Sequence, residues 1–338
     1  MKISLRRFDL RLKHTFTIAR GARDVSPVVL VELEHDGIVG FGEAAPSARY
    51  GESVESVTAF LSGIDWSRFE DPFQIESILT AVDTAASGNT AAKASVDIAL
   101  HDWIGRRLGI PLFRYWGLDP TKLPLSSFTI GIDAIQVIEQ KVREADPYPI
   151  LKIKLGGEND EDIIRTIRKI TRKTLRVDAN EGWKVKELAV ERIKWLEQEG
   201  VEFVEQPMPA ADLSGTAWVR ERVNLPLIAD ENSLRLHDVP RLQGVFDGIN
   251  IKLMKCTGLR EALRMIHTAR ACDLKVMMGC MIESSIAISA AAQLAPLIDY
   301  ADLDGNVLVT NDPFDGVRSL DGSLTLLARP GLGVERRS

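Results

Sequence analysis

From residue 123 onward, short apolar runs recur at nearly equal intervals, each stopping at a charged or small residue. They span 123–130, 150–154, 175–178, 201–205, 227–230, 248–252, 275–278 and 300–304, and successive runs end 22 to 27 residues apart. The segments between them, such as 160–171 and 186–199, carry apolar residues at helical spacing. A strand, a helix and a parallel strand connect through a right-handed crossover, and eight such units in succession give a (β/α)8-type barrel. In that fold the chemistry sits where strands end and loops begin, so the last residue of each run is the place to look.

The first third follows another pattern. A β-branched run at 28–33 (VVLVEL), a turn at His35-Asp36-Gly37 and an apolar run at 38–41 read as a hairpin. Helical stretches follow at 53–61, 74–85 and 90–108, the last with Ala92, Val96, Ala99, Leu100 and Trp103 spaced three to four apart. Gly109 to Pro111 ends that helix, and Gly117-Leu118-Asp119-Pro120 forms a joint. The sequence therefore predicts an α+β domain over 1–118 and a barrel domain over 119–314. The tail, 315–338, is too short for another unit and is expected to complete the first domain.

A chain of 338 residues with 45% hydrophobic content can bury more core than one ordinary domain needs, which agrees with this division. With 42 basic against 48 acidic residues the net charge is −6, so neither nucleic acid nor an anionic membrane is the expected partner. Cys256, Cys272 and Cys280 are odd in number and confined to one late stretch, which suits reduced thiols in the cytoplasm better than a disulfide framework. The start, MKISLRRFDL, alternates charge with apolar residues and lacks the apolar stretch of a signal peptide. Residues 286–298 are interrupted by Ser289, Gln293 and Pro296 and fall short of the roughly 20 helical residues that cross a bilayer. A soluble, cytoplasmic protein is expected.

Three consecutive runs end in lone carboxylates: Asp178 in RVDAN, Glu205 in FVEQP and Asp230 in IADEN. One such acid could simply cap the following helix. Three converging at a barrel mouth would repel one another unless a cation is bound, and all-oxygen ligation suits a hard ion, Mg²⁺ first and Mn²⁺ second. Lys152 and Lys154, in LKIKL, lie two apart on a strand and share a face. Because Leu151, Ile153 and Leu155 must then meet the outer helices, both lysines point inward. Lys252, in INIKLMK, lies four units onward and so across the barrel, whereas Lys255 falls beyond the run and is set aside. A carboxylate substrate held by a metal between two lysines can lose its α-proton to one and regain a proton from the other on the opposite face.

These residues, in this order and spacing, resemble the enolase superfamily, muconate-lactonizing subgroup, over essentially the whole length. The resemblance implies an α+β capping domain over a modified barrel of (β/α)7β type. It implies Lys154 and Lys252 as the acid/base pair, Lys152 in support, and Asp178, Glu205 and Asp230 as Mg²⁺ ligands. The subgroup includes cycloisomerases, o-succinylbenzoate synthases, N-acylamino-acid racemases and dipeptide epimerases. Asp302 and Asp304 share a face at the eighth strand and call for a cation from the substrate; such a pair resembles the dipeptide epimerases, where it holds the N-terminal ammonium. GCMIESS at 279–285 resembles the epimerase loop that lines the dipeptide pocket and, with the strand before it, implies Met278, Cys280, Met281 and Ile282 as substrate contacts. An arginine near 17–24, Arg20 or Arg23, resembles those epimerases that bind a glutamate side chain.

The expected function is thus epimerisation of a dipeptide from cell-wall peptide turnover, alanine followed by glutamate in first place. The alternatives are an epimerase of hydrophobic or cationic dipeptides, an N-acylamino-acid racemase, a lactonizing enzyme, or a barrel that binds without chemistry. KCTG at 255–258 and DENS at 230–233 depart from the commoner family pattern without touching a proposed ligand. Whether the chain forms a homo-oligomer stays open.

Overall fold

The computed structural model describes residues 1–18 and 21–337. The first domain is a three-stranded antiparallel sheet of β1 (Lys2–Ile18), β2 (Gly21–His35) and β3 (Ile38–Ala44). The β2–β3 hairpin turns at Asp36-Gly37, both with positive φ. β1, by contrast, was not anticipated: its apolar residues Ile3 and Leu5 change phase to Phe8, Leu10 and Leu12 across Arg6-Arg7, which hides the period-2 signal. The β1–β2 ladder breaks again between Arg11 and Phe16, where β1 bulges.

Helices α1 (Val54–Ser62), α2 (Ile75–Ala85) and α3 (Thr90–Leu108) cover the sheet. α3 lies tight against β3 because Gly40 and Gly42 offer no side chain; a Cβ on Gly42 would stand 2.0 Å from the Ser95 carbonyl oxygen. A short α4 (Leu112–Tyr115) leads to the second domain.

There, eight parallel strands follow in chain order: β4 (Phe128–Ile130), β5 (Ile150–Lys154), β6 (Thr174–Asp178), β7 (Val201–Glu205), β8 (Leu227–Ala229), β9 (Gly248–Ile251), β10 (Lys275–Gly279) and β11 (Tyr300–Asp302). Between them run α5 (Ile135–Glu144), α6 (Asp160–Ile170), α7 (Lys186–Gln198), α8 (Leu213–Arg220), a 3-10 segment (Leu236–Leu242), a single turn α9 (Leu253–Cys256) followed by α10 (Leu259–Ala271), and α11 (Ser285–Gln293). Among the described residues no helix follows β11, so the architecture is a modified, (β/α)7β barrel. β4 and β11 meet at a bridge between Ser126 and Ala301, which leaves a thin seam where the barrel closes.

Strand alternation sorts the core into two. Leu151, Ile153, Val177, Val204, Ile249 and Ile251 are buried between strands and helices, and each contributes roughly 1.5–3 kcal/mol of hydrophobic stabilisation. Phe203, Ile228 and Met277, with Tyr300, form a separate cluster inside the barrel, over which Arg176 stacks. This plug fills the barrel below the polar mouth.

The tail splits its contacts. Its hairpin of β13 (Arg318–Leu320) and β14 (Ser323–Thr325), which follows β12 (Phe314–Asp315), reaches the barrel, where Gly322 accepts a hydrogen bond from the Ser126 amide. Farther on, β15 (Glu335–Arg336) pairs with β12, Leu332 donates to Asp102 of α3 and Arg336 pairs with Glu32 of β2.

Candidate active site

The mouth of the barrel is a buried array of opposite charges. The carboxylates of Asp178, Glu205 and Asp230 are almost wholly inaccessible and bring an oxygen each within 4.8 Å of one another. Asp178 and Glu205 end their strands, and Asp230 stands one residue past β8. Lys154 donates to Asp178 at 2.7 Å, and Lys252 donates to Asp230 at 2.9 Å. These two ammonium groups are thus anchored on different acids, one at the end of β5 and the other just past β9. Lys152 lies deeper, 2.7 Å from Glu205, 2.7 Å from Asp302 and 3.3 Å from Asp178.

The charges set one another's protonation. Desolvation alone would discharge each group, but Lys152 is held well above the ordinary lysine range by Asp302, Glu205 and Asp178. Lys252 is likewise raised by Asp230 and Glu205 against its burial. Burial pushes Asp178 up, yet Lys154 and Lys152 bring it down to about 2. Asp230 is driven well below its usual value by Lys252 and Lys255 against the same burial. Glu205 goes the other way, raised by burial and by its neighbour Asp178. Among these acids, Lys152 and Lys252 are held charged. An all-carboxylate cluster with one acid raised by its neighbours fits a hard divalent cation, for which Asp178, Glu205 and Asp230 are the residues in place.

Lys255, set aside on sequence grounds, is part of this floor. The single turn of α9 folds it back, so that its buried ammonium donates to a carboxylate oxygen of Asp230 and to the carbonyls of Asp230 and Asn250. Asn250 was also missed; it shares the inward face with Lys252 and donates to Glu205 at 2.7 Å. Strand parity alone marks Asn250, whereas nothing in the spacing marks Lys255.

Asp302 and Asp304 both reach the cavity, but differently from expectation. Asp302 is not an uncompensated acid: Lys152 and the Ser127 hydroxyl, each at 2.7 Å, hold it, and although burial opposes this the lysine brings it below the usual range. Asp304 accepts from the Thr129 amide at 2.7 Å, and burial with the adjacent Asp302 raises it to about 7.

Both domains line the cavity, of about 100 Å³: Phe16, Ile18, Arg23, Ala45, Pro46, Ser47, Arg49 and Tyr50 from the first, and Lys152, Lys154, Lys252, Cys280, Met281, Ile282, Asp302 and Asp304 from the second. Arg49 closes part of the rim through a bidentate pair with Glu181. Arg23 is exposed at the cavity wall, and Arg20 lies outside the described residues. Cys280 donates to the Asp302 carbonyl, and burial keeps its thiol protonated. Met278 corrects the expectation made for it. On β10 the inward positions are Met277 and Gly279, so Met278 faces the helices, buried among apolar side chains and away from the cavity. Gly279 is small because a Cβ there would stand 2.6 Å from Asn250.

A family profile described as mandelate racemase / muconate lactonizing enzyme, N-terminal domain, matches residues 2–117, and one described as enolase C-terminal domain-like matches 135–337. The chain belongs to the enolase superfamily. Within this superfamily it is 49% identical, over 99% of its length and 88% of the relative's, to an L-Ala-D/L-Glu epimerase of Bacteroides thetaiotaomicron. Its fold matches that of a substrate-liganded L-Ala-D/L-Glu epimerase from Bacillus subtilis, with TM-score 0.93 and 29% identity over 99% of this chain and 98% of the other. It also matches a dipeptide epimerase from Enterococcus faecalis complexed with Mg and L-Leu-L-Tyr, with TM-score 0.91 and 34% identity over 99% of each chain.

Proposed function

We propose that this superfamily member inverts the α-carbon of the C-terminal residue of a dipeptide, with L-Ala-D/L-Glu as substrate, by proton transfer between that carbon and Lys154 on one face and Lys252 on the other. The observation that carries the reading is the pair of buried ammonium groups anchored on different acids of one carboxylate triad, with a second acid pair, Asp302 and Asp304, beside them. Asp178, Glu205 and Asp230 would hold Mg²⁺, with Mn²⁺ as a substitute. When bound, the ion supplies positive charge against the negative charge that grows on the substrate carboxylate as the α-proton leaves.

The protein's own groups do the rest. One lysine takes the α-proton; the other, already protonated, delivers its proton to the opposite face of the flattened carbon, which inverts it. Lys152, which bridges both acid groups, is a positioning residue. Asp304, with Asp302 behind it, receives the substrate ammonium. Cys280 to Ile282 pack along the dipeptide, and the Arg23 guanidinium meets the glutamate carboxylate. A cytoplasmic role in cell-wall peptide turnover accords with the three free cysteines.

A dipeptide library incubated in D₂O with Mg²⁺ and read by mass tests this. Alanyl-glutamate is expected to gain deuterium at the glutamate α-carbon. If it stays unlabelled while alanyl-phenylalanine gains mass, the glutamate assignment fails and the reaction class stands.

A further inference from the structure

β11 carries Asp302 and leads into Asp304 on slender support. It pairs with β10 over three residues, meets β4 at a bridge, and has no helix after it among the described residues. On the β4 side the Ser127 amide donates to the Ala301 carbonyl at 3.1 Å, the Leu303 amide donates to the Ser126 hydroxyl at 2.8 Å, and the Thr129 amide holds Asp304 at 2.7 Å. These three contacts all lie at the seam.

Another support crosses the bore instead. Arg176, two residues before Asp178 on β6, points inward with it. Its Nη1 donates to the Ala301 carbonyl at 3.0 Å, three strands away round the barrel, and its Nε donates to Glu202 of β7 at 2.7 Å. The guanidinium lies against the Phe203 and Tyr300 rings, 5.4 and 5.1 Å from their centroids, and the side chain is 4% exposed. A planar group with donors on two edges can make both bonds and stack at once, which an ammonium cannot.

The position of this cation is informative. Arg176 pairs in register with Lys152 on β5, so two buried cations stand side by side. Like charges on neighbouring strands repel, and a cation in an apolar plug carries a desolvation cost that a leucine or methionine there would avoid. Both cations end on consecutive residues of β11: Arg176 on the Ala301 carbonyl, and Lys152 on the Asp302 carboxylate at 2.7 Å. The guanidinium thus fixes the backbone from which Asp302 projects and which continues to Asp304. Among the described residues it donates to Glu202 and Ala301 and to none of the three acids placed for the metal.

We propose that Arg176 is a positioning residue for the substrate ammonium: by pinning Ala301 across the bore it sets where Asp302 and Asp304 stand, and so governs affinity for the amino end of the dipeptide rather than proton transfer at the second α-carbon. The inference rests on the assignment of the ammonium to Asp302 and Asp304.

The test compares alanyl-glutamate with N-propionyl-glutamate, the same molecule with hydrogen in place of the amino group, on the Mg²⁺-loaded protein. Arg176→Met keeps the reach and packs on the same rings but donates no hydrogen bond. It is expected to raise the KM of alanyl-glutamate about tenfold, with kcat within about threefold, because a bond from a charged donor is lost from binding alone. The inhibition constant of N-propionyl-glutamate, and the Kd of Mg²⁺ without dipeptide, are expected to stay within about twofold. Arg176→Lys, which can reach one of the two anchors, should lose less, on alanyl-glutamate alone, and carries the test if Arg176→Met does not fold. Equal losses for both ligands, a weakened Mg²⁺ site, or an unchanged KM for alanyl-glutamate overturn the proposal and leave the epimerase reading intact. Absence of α-deuteration of every dipeptide by the wild-type protein overturns that reading and this inference with it.

Discussion

Glu43 offers a test of how the two domains are held together. It stands on β3 of the first domain, fully buried, and accepts from the amide of Ser284, at 2.9 Å, and from its hydroxyl. Burial, reinforced by Glu283, pushes its carboxyl up from 4.5 to about 8. Folded Glu43 therefore keeps its proton up to about pH 8, while the unfolded chain releases it near 4.5. The native state binds more protons between these values, so this contribution to stability is lost as the pH rises. Between pH 6 and 9 the loss integrates to about 3 kcal/mol. For a chain of 338 residues, with an unfolding entropy near 0.7 kcal/mol/K, that is a fall in Tm of about 4 °C. Glu43→Gln replaces the protonated acid with its neutral isostere: the amide oxygen accepts from the Ser284 amide, and the amide nitrogen donates to the Ser284 hydroxyl. Thermal melts of both proteins from pH 6 to 9 should diverge by that amount, with the variant gaining on the wild type as pH rises. Glu283 and Asp312, also raised, titrate in both proteins and largely cancel in the difference. Melting curves that stay parallel across this range would refute the reasoning.

Other expectations follow from the mouth of the barrel. Lys154→Ala and Lys252→Ala should each lower epimerisation by about 10³-fold, while proton NMR in D₂O still shows exchange of one substrate configuration, a different one for each variant. Lys255→Met should weaken Mg²⁺ binding by roughly tenfold in a calorimetric titration, because Asp230 loses an anchor for one of its oxygens. Removing divalent ions with EDTA should abolish turnover, and restoring Mg²⁺ at about 100 times its Kd should raise Tm by roughly 4 °C, from about 2.7 kcal/mol of linkage.

The strand ends were legible because a period of two fixes which side chains share a face, and the outward leucines and isoleucines of β5 leave Lys152 and Lys154 no other direction. The same rule, applied to β10, would have exchanged Met278 for Met277 and Gly279. Lys255 was beyond its reach, since the residue leaves the strand and returns through a helical turn that only tertiary packing selects. The neutralisation of Asp302 by Lys152 joins residues 150 positions apart and has no local signature. β1 was hidden by its change of phase, and with it the bulge between Arg11 and Phe16.

One ammonium group, on Lys152, faces the metal acids on one side and the acid pair of β11 on the other. The seat for the ion and the seat for the amine thus share a single counter-ion, and a cation arriving at either redistributes the charge available to the other. Affinities for ion and dipeptide are then bound by reciprocity: whatever factor one changes the other by is returned in equal measure.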